Sequence, residues 1–108
     1  MEEYIGVIKL FALNYEPQGW MICDGRTLNT SQFQALYSVI GTTYTGSGAA
    51  QGNVTFNLPD LRACIPVGMG TPREIGQKGA LSNHGTPTVG TLGLNYMICV
   101  EGLYPSRQ

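Results

Sequence analysis

Charge is scarce in this sequence. Six Lys and Arg and seven Asp and Glu make up 12% of its 108 residues, about half of the roughly 25% usual in a soluble globular domain. The cations are scattered and the formal net charge is −1. No basic stripe is available to neutralise a run of phosphates, so nucleic acid is not an expected partner. Long apolar runs are missing too. Stretches such as Tyr96 to Val100 fall far short of the roughly 20 residues that a membrane-spanning helix needs. The start of the chain lacks the basic opening of a secretory signal: Glu2 and Glu3 come first, and Lys9 interrupts the first apolar segment. The expectation is assembly in the cytoplasm, with any passage outward made inside a larger particle.

Histidine occurs once, at His84, which leaves little material for a general base or a metal site built by one chain. Its neighbours Ser82, Asn83 and Gly85 mark a solvent-exposed loop; the alternative is a metal shared around a symmetry axis. Cysteine occurs three times, at Cys23, Cys64 and Cys99, an odd number without metal-type spacing, so no closed disulfide framework follows. Three buried thiols in a reduced compartment are expected. No Cys stands beside a base that would activate it. Gly46, Gly48 and Gly52 are followed by no Lys-Ser or Lys-Thr pair, so they read as turn formers and not as a phosphate loop. The expectation is a protein without enzymatic activity, resident cofactor or required metal.

What remains is apolar: 43% of the residues, with 15 glycines. A chain of this length holds one domain, residues 1–108, with one small core. So little charge on so small a domain leaves polar loops or partner subunits to cover the surface, and oligomerisation enters as an option.

Along the chain, Tyr4 to Leu13 reads as a strand with Ile5, Val7, Lys9 and Phe11 on one face and Gly6, Ile8, Leu10 and Ala12 on the other. Apolar groups on both faces point to a sheet covered twice, or to a sheet face at a subunit contact. A loop with Pro17 and Gly19 leads to a short strand at Trp20 to Cys23 and a turn at Asp24-Gly25. Phe33, Leu36, Tyr37 and Ile40 fall at helical spacing and predict one helix over about 31–40. Ser31 with Gln34 suggests a capping box, and Gly41 suits the left-handed position after the helix. Residues Gly41 to Asn53 read as surface loop. Val54 to Gly68, with Pro59 and Pro66, reads as extended segments without continuous ladders, and Gly70 to Gly90 reads as loop. The last strand is predicted over Leu92 to Glu101. The fold class is α+β: short strands, one helix and long loops.

Two groups of residues stand out as candidate sites. Trp20, Phe11, Phe56 and Leu58 are anchors for the core or for subunit contacts, whereas Tyr44, inside a polar loop, is a candidate for outward recognition. In Phe56-Asn57-Leu58-Pro59-Asp60-Leu61-Arg62 the acid and the base lie two apart, so an extended chain points both to one side. Either they form a scaffold that satisfies irregular backbone or they bind a ligand. As a scaffold, Arg62 would leave buried acceptors unpaired when truncated to Ala, lowering stability.

Four blocks in order carry a resemblance to a known family. They are Ile5-Gly6-Val7-Ile8-Lys9-Leu10-Phe11-Ala12; Gly19-Trp20-Met21-Ile22-Cys23-Asp24-Gly25; Phe56-Asn57-Leu58-Pro59-Asp60-Leu61-Arg62 with Pro66-Val67-Gly68; and Leu94-Asn95-Tyr96 through Gly102-Leu103-Tyr104-Pro105-Ser106-Arg107. The chain resembles the phage tail-collar domain, which also occurs in the microcystin-dependent protein group. The resemblance implies a small mixed α/β domain that forms homotrimers in tail fibres and contractile injection systems, with Gly25, Pro59, Asp60, Arg62 and Arg107 as structural motif residues. Other tail, fibre or baseplate proteins are the partners it implies, and a host surface glycan is the alternative partner of a fibre-tip module. Relatives commonly follow Gly76-Gln77-Lys78-Gly79 with a longer segment carrying a His-x-His element and often a receptor-binding insertion. Here only His84 remains, so neither the axial metal nor the inserted head is carried over. With no fibre shaft before Met1, a free-standing module that docks onto another component is expected.

Overall fold

The structure, a computed structural model, describes residues 2–46, 54–70, 75–79 and 90–106. Its elements are β1 (Ile8–Phe11), β2 (Trp20–Ile22), β3 (Thr27–Asn29), α1 (Gln34–Ile40), β4 (Thr55–Asn57) and β5 (Asn95–Cys99). The domain is α+β, with five strands in two antiparallel sheets among the described residues.

The first sheet has the order β1-β5-β2, so the last strand lies in the middle. Ile8 opposes Ile98 and Phe11 opposes Asn95 on one side; Trp20 opposes Cys99 and Ile22 opposes Met97 on the other. Side chains alternate along β5. Tyr96, Ile98 and Val100 join the main core with Ile5, Cys23, Leu28, Leu36, Phe56 and Leu58, while Met97 and Cys99 join a smaller cluster with Trp20, Phe11 and Leu13. This sheet is therefore covered on both faces, as strands apolar on both sides require.

The outer limits of these strands differ from the sequence expectation. Gly6 takes φ +94°, and the Val7 amide turns back onto the Tyr4 carbonyl, so the first ladder begins at Ile8 and not at Tyr4. The turn also separates two residues expected on one face: Ile5 enters the main core and Phe11 the smaller cluster. At the other end Phe11 pairs with Asn95, so β1 offers no partner to residues 92–94, and Leu92 stands 82% exposed.

β3 and β4 form a second, two-stranded sheet in which Leu28 opposes Phe56. This corrects the expectation that residues 54–68 make no continuous ladder. The same register runs on past the strands, through the Leu58 amide on the Arg26 carbonyl to the Asp24–Asp60 bridge and the Leu61 amide on the Cys23 carbonyl. Pro59 removes one donor without breaking the pairing, because its carbonyl accepts the Gly25 amide at 3.2 Å.

The helix is shorter than predicted. Its N-cap is Phe33, with φ −125° and no side-chain cap; the Ser31–Gln34 capping box does not form. Residues 30–33 make a turn instead, in which Thr30 donates both its amide and its hydroxyl to the Val54 carbonyl and the Phe33 amide bonds Asn29. That turn ties the helix start to the second sheet. Gly41 ends the helix with positive φ, but its ψ of −144° lies outside the left-handed helical well, in territory that suits glycine. The predicted stripe packs as expected: Leu36 is fully buried, and Phe33, Tyr37 and Ile40 flank the same core.

A seven-residue helix has no stability of its own, so its stripe must hold it. Leu36→Ala is expected to lower the unfolding free energy by about 2–5 kcal/mol, and Phe33→Ala, at the partly buried cap, by less; urea denaturation of the two variants checks the order.

Candidate functional site

Asp24-Gly25-Arg26 and Asp60-Leu61-Arg62 share a spacing and fold alike. In the first, Asp24 Oδ1 accepts the Arg26 amide at 3.1 Å and its guanidinium Nε at 3.0 Å, while Oδ2 accepts a second guanidinium N–H at 3.0 Å. In the second, Asp60 accepts the Arg62 amide at 3.2 Å and the guanidinium at 2.9 and 2.8 Å. Each is a two-pronged acid–base clasp closed over its own turn. The clasps face one another, because Asp24 and Asp60 are partners in the bridge between the two segments. Gly25 permits the approach: it takes φ +77°, and a Cβ there would lie 3.1 Å from Asp60 Cβ, closer than side chains tolerate.

Their surroundings differ. Arg26 also donates to Glu16 Oε2, at 2.6 Å, and the same oxygen accepts the Ile22 amide at 2.7 Å. Arg26 thus ties the loop before β2 to the turn after it. Arg62 binds Asp60 and has a side chain 68% exposed. The expected loss of buried acceptors on truncating Arg62 is therefore corrected: among the described residues its acceptor is Asp60, which is not buried, and surface pairs of this kind stabilise little. Asn57 closes the arrangement by donating to the Gly25 carbonyl at 2.9 Å and to Thr27 Oγ1 at 3.0 Å. Sequence reasoning singled out Asp60, Arg62 and Gly25 but not Glu16, Asp24, Arg26 or Asn57. The signal for two of these was present, since Asp24 and Arg26 repeat the Asp60–Arg62 spacing.

Beside Asp60 opens a groove of about 660 Å³, lined by Ile8, Tyr44, Leu61, Cys64, Ile75 and Lys78 among others. Ile65, Val67 and Met69 recur at every second position after Cys64 and are all exposed at the groove's edge. Lys78 donates to the Asp60 carbonyl at 2.8 Å and approaches Cys64 Sγ at 3.7 Å. Ala63 turns the chain there with φ +54°, a conformation costly for a residue with a Cβ. Tyr44 is half-buried on the groove wall, and burial raises its hydroxyl pKa; it does not project outward from a loop as expected. Cys64 is half-buried here as well, which corrects the expectation of three core thiols. Cys23 and Cys99 are buried, and burial pushes the Cys23 thiol up to about 12.

Among the remaining candidates, Phe56, Leu58 and Trp20 are buried within this single chain, and Pro59 is buried beside them. Phe11 is half-buried and meets Trp20 edge to face at 4.9 Å. His84 and Arg107 lie outside the described residues. Among the described residues no three of His, Cys, Asp and Glu converge as metal ligands, and no helix is long and apolar enough to cross a membrane.

A small α+β domain whose few charges hold irregular backbone, with an apolar groove beside them, is the class that fold and site define. Residues 6–66 match the family of the phage tail collar domain; this is more than half of the chain, and the protein belongs to that family. The matched stretch contains both clasps, the helix and the second sheet. The chain is also similar to protein RhiB of Rhizobium leguminosarum bv. viciae, with 43% identity over 47 residues, 44% of this chain and 21% of RhiB. The match spans about a fifth of that relative's length. No solved structure matches the chain.

Hydrogen bonds from Arg26 and Arg62 hold the Asp24 and Asp60 carboxyls below their ordinary value of 3.8. A carboxyl with a lowered pKa in the folded state contributes stability that is complete above the ordinary range and is lost as pH falls through the lowered value. Thermal melting is expected to be flat from about pH 7 to 5 and to decline below about pH 4, with a smaller decline in Arg26→Ala. At pH 7 Arg26→Ala is expected to cost about 1–2 kcal/mol, and more than Arg62→Ala. A thiol-alkylating reagent should modify Cys64 first and reach Cys23 and Cys99 on unfolding; mass spectrometry of native and urea-treated protein reads the order.

Proposed function

We propose that this protein is a structural component of a phage tail or of a related phage-derived contractile injection particle. It acts as a homotrimer that caps, braces or joins fibre, collar or baseplate proteins after assembly in the cytoplasm. Membership of the phage tail collar family carries the reading. The surface supports it: Ile65, Val67, Met69 and Ile75 are each more than half exposed around one groove, a concentration of apolar groups that suits burial against other chains. The polar chemistry supports assembly over catalysis. Glu16, Asp24 and Arg26 bind one another and the backbone, and Asp60 binds Arg62, which leaves these groups engaged in holding turns.

Light scattering of the purified protein at micromolar concentration is expected to give three times the chain mass of 11.6 kDa, and the native particle is expected to carry the protein together with tail sheath or baseplate proteins. A stable monomer that binds a bacterial surface glycan would move the assignment to a receptor-binding tip module.

A further inference from the structure

Two apolar surfaces of the domain hold ionic groups of opposite sign that stand outside any ion pair among the described residues. One is the groove, edged by Ile65, Val67 and Met69. Within it the Lys78 ammonium meets a carbonyl and a thiol, and no carboxylate pairs with it among the described residues. Arg62 takes the close pairing with Asp60, so Lys78, which acts on that carboxylate only at longer range, is a groove cation outside any ion pair among the described residues. The second surface lies where the two ends of the chain run side by side. Tyr4 and Leu103 form a parallel bridge, fixed by the Ile5 amide on the Leu103 carbonyl at 2.8 Å and the Leu103 amide on the Glu3 carbonyl at 2.9 Å. Tyr4, Leu103 and Tyr104 are about half exposed there, and the Tyr104 hydroxyl is anchored on Ser38 at 2.6 Å. Glu3 is balanced by Lys9, whereas Glu2 and Glu101, both exposed, enter no ion pair among the described residues. None of Tyr4, Leu103 and Tyr104 lines the groove.

We infer that the occupant of the groove is a second copy of this chain, which inserts its paired Tyr4 and Leu103 segments so that Tyr4, Leu103 and Tyr104 meet Ile65, Val67 and Met69 while Glu101 approaches Lys78. The inference rests on the homotrimer reading and names its contact surfaces. Because one copy uses its groove and the next its ends, the contact is head-to-tail, and such contacts close into a ring when the rotation between copies divides the circle, as a three-fold arrangement does. Apolar groups supply the burial, and the opposed charges fix the register.

Carbodiimide cross-linking of the wild-type protein, followed by peptide mass spectrometry, is expected to join Lys78 to Glu101 in oligomer bands and not in the monomer band. In sedimentation at a series of concentrations, Lys78→Glu, Glu101→Lys and Ile65→Asp should each raise the dissociation constant by about tenfold or more, with circular dichroism unchanged. Lys78→Glu combined with Glu101→Lys in one chain should restore assembly. An oligomeric wild type with no such cross-link, or with charge variants that assemble normally, overturns the surface assignment and leaves the homotrimer standing. Loss in both single variants without restoration in the combined one also overturns it. A monomeric wild type overturns the homotrimer reading, and this contact with it.

Discussion

Cys23 is where the two sheets become one domain. Its amide donates to the Tyr96 carbonyl, extending the β2–β5 ladder, and its carbonyl accepts the Leu61 amide, opening the ribbon that runs to the β3–β4 pair. A residue hydrogen-bonded to both sheets must leave its side chain between them, and the Cys23 thiol is buried in the core that they share. Everything after it follows from that crossing. The next residue, Asp24, pairs with Asp60; Gly25, without a Cβ, leaves room for Asp60; and Arg26 is then placed over Asp24 and Glu16. The apolar pairing of Leu28 with Phe56 begins two residues further on.

This junction explains how so little charge can suffice. Irregular backbone at a sheet crossing leaves amides without ladder partners, and each such amide needs an acceptor. Carboxylates are well suited because each offers two oxygens. Glu16 takes the Ile22 amide, Asp24 the Arg26 amide and Asp60 the Arg62 amide. An arginine two residues on then balances Asp24 and Asp60. Five of the chain's thirteen charged residues, Glu16, Asp24, Arg26, Asp60 and Arg62, gather at the crossing.

The sequence made some of this legible and hid the rest for identifiable reasons. The stripe Phe33, Leu36, Tyr37, Ile40 predicted the helix because helical spacing repeats within it, yet its start was misplaced: in place of the Ser31–Gln34 box stands a turn in which Thr30 bonds Val54, 24 positions away. The central strand was visible from alternation, but its ends depend on how far β1 reaches, which no local pattern states. β3 escaped notice because three residues with one buried side chain give no period to detect. Asp60 and Arg62 were found as a pair from spacing alone. That the same spacing at Asp24 and Arg26 forms the more deeply embedded clasp depends on Glu16, which only the folded chain brings within reach. Tyr44 sits in a polar stretch by sequence, and its turn inward follows from the groove wall against which it lies.

The groove and the core are two sides of one wall. Ile8 and Leu61 pack on the main core and also line the groove, so whatever fills the groove presses on residues that hold the sheets together. The clasp fixes the other side, since Asp60 closes its own turn while its carbonyl holds Lys78. Binding at such a surface cannot be independent of folding: a partner that engages only the folded chain stabilises it by mass action. A domain with a small core, one short helix and a groove edged by exposed apolar residues is therefore expected to gain stability on assembly. The edge formed by Ile65, Val67 and Met69 carries no charged side chain, which lowers the desolvation cost of covering it.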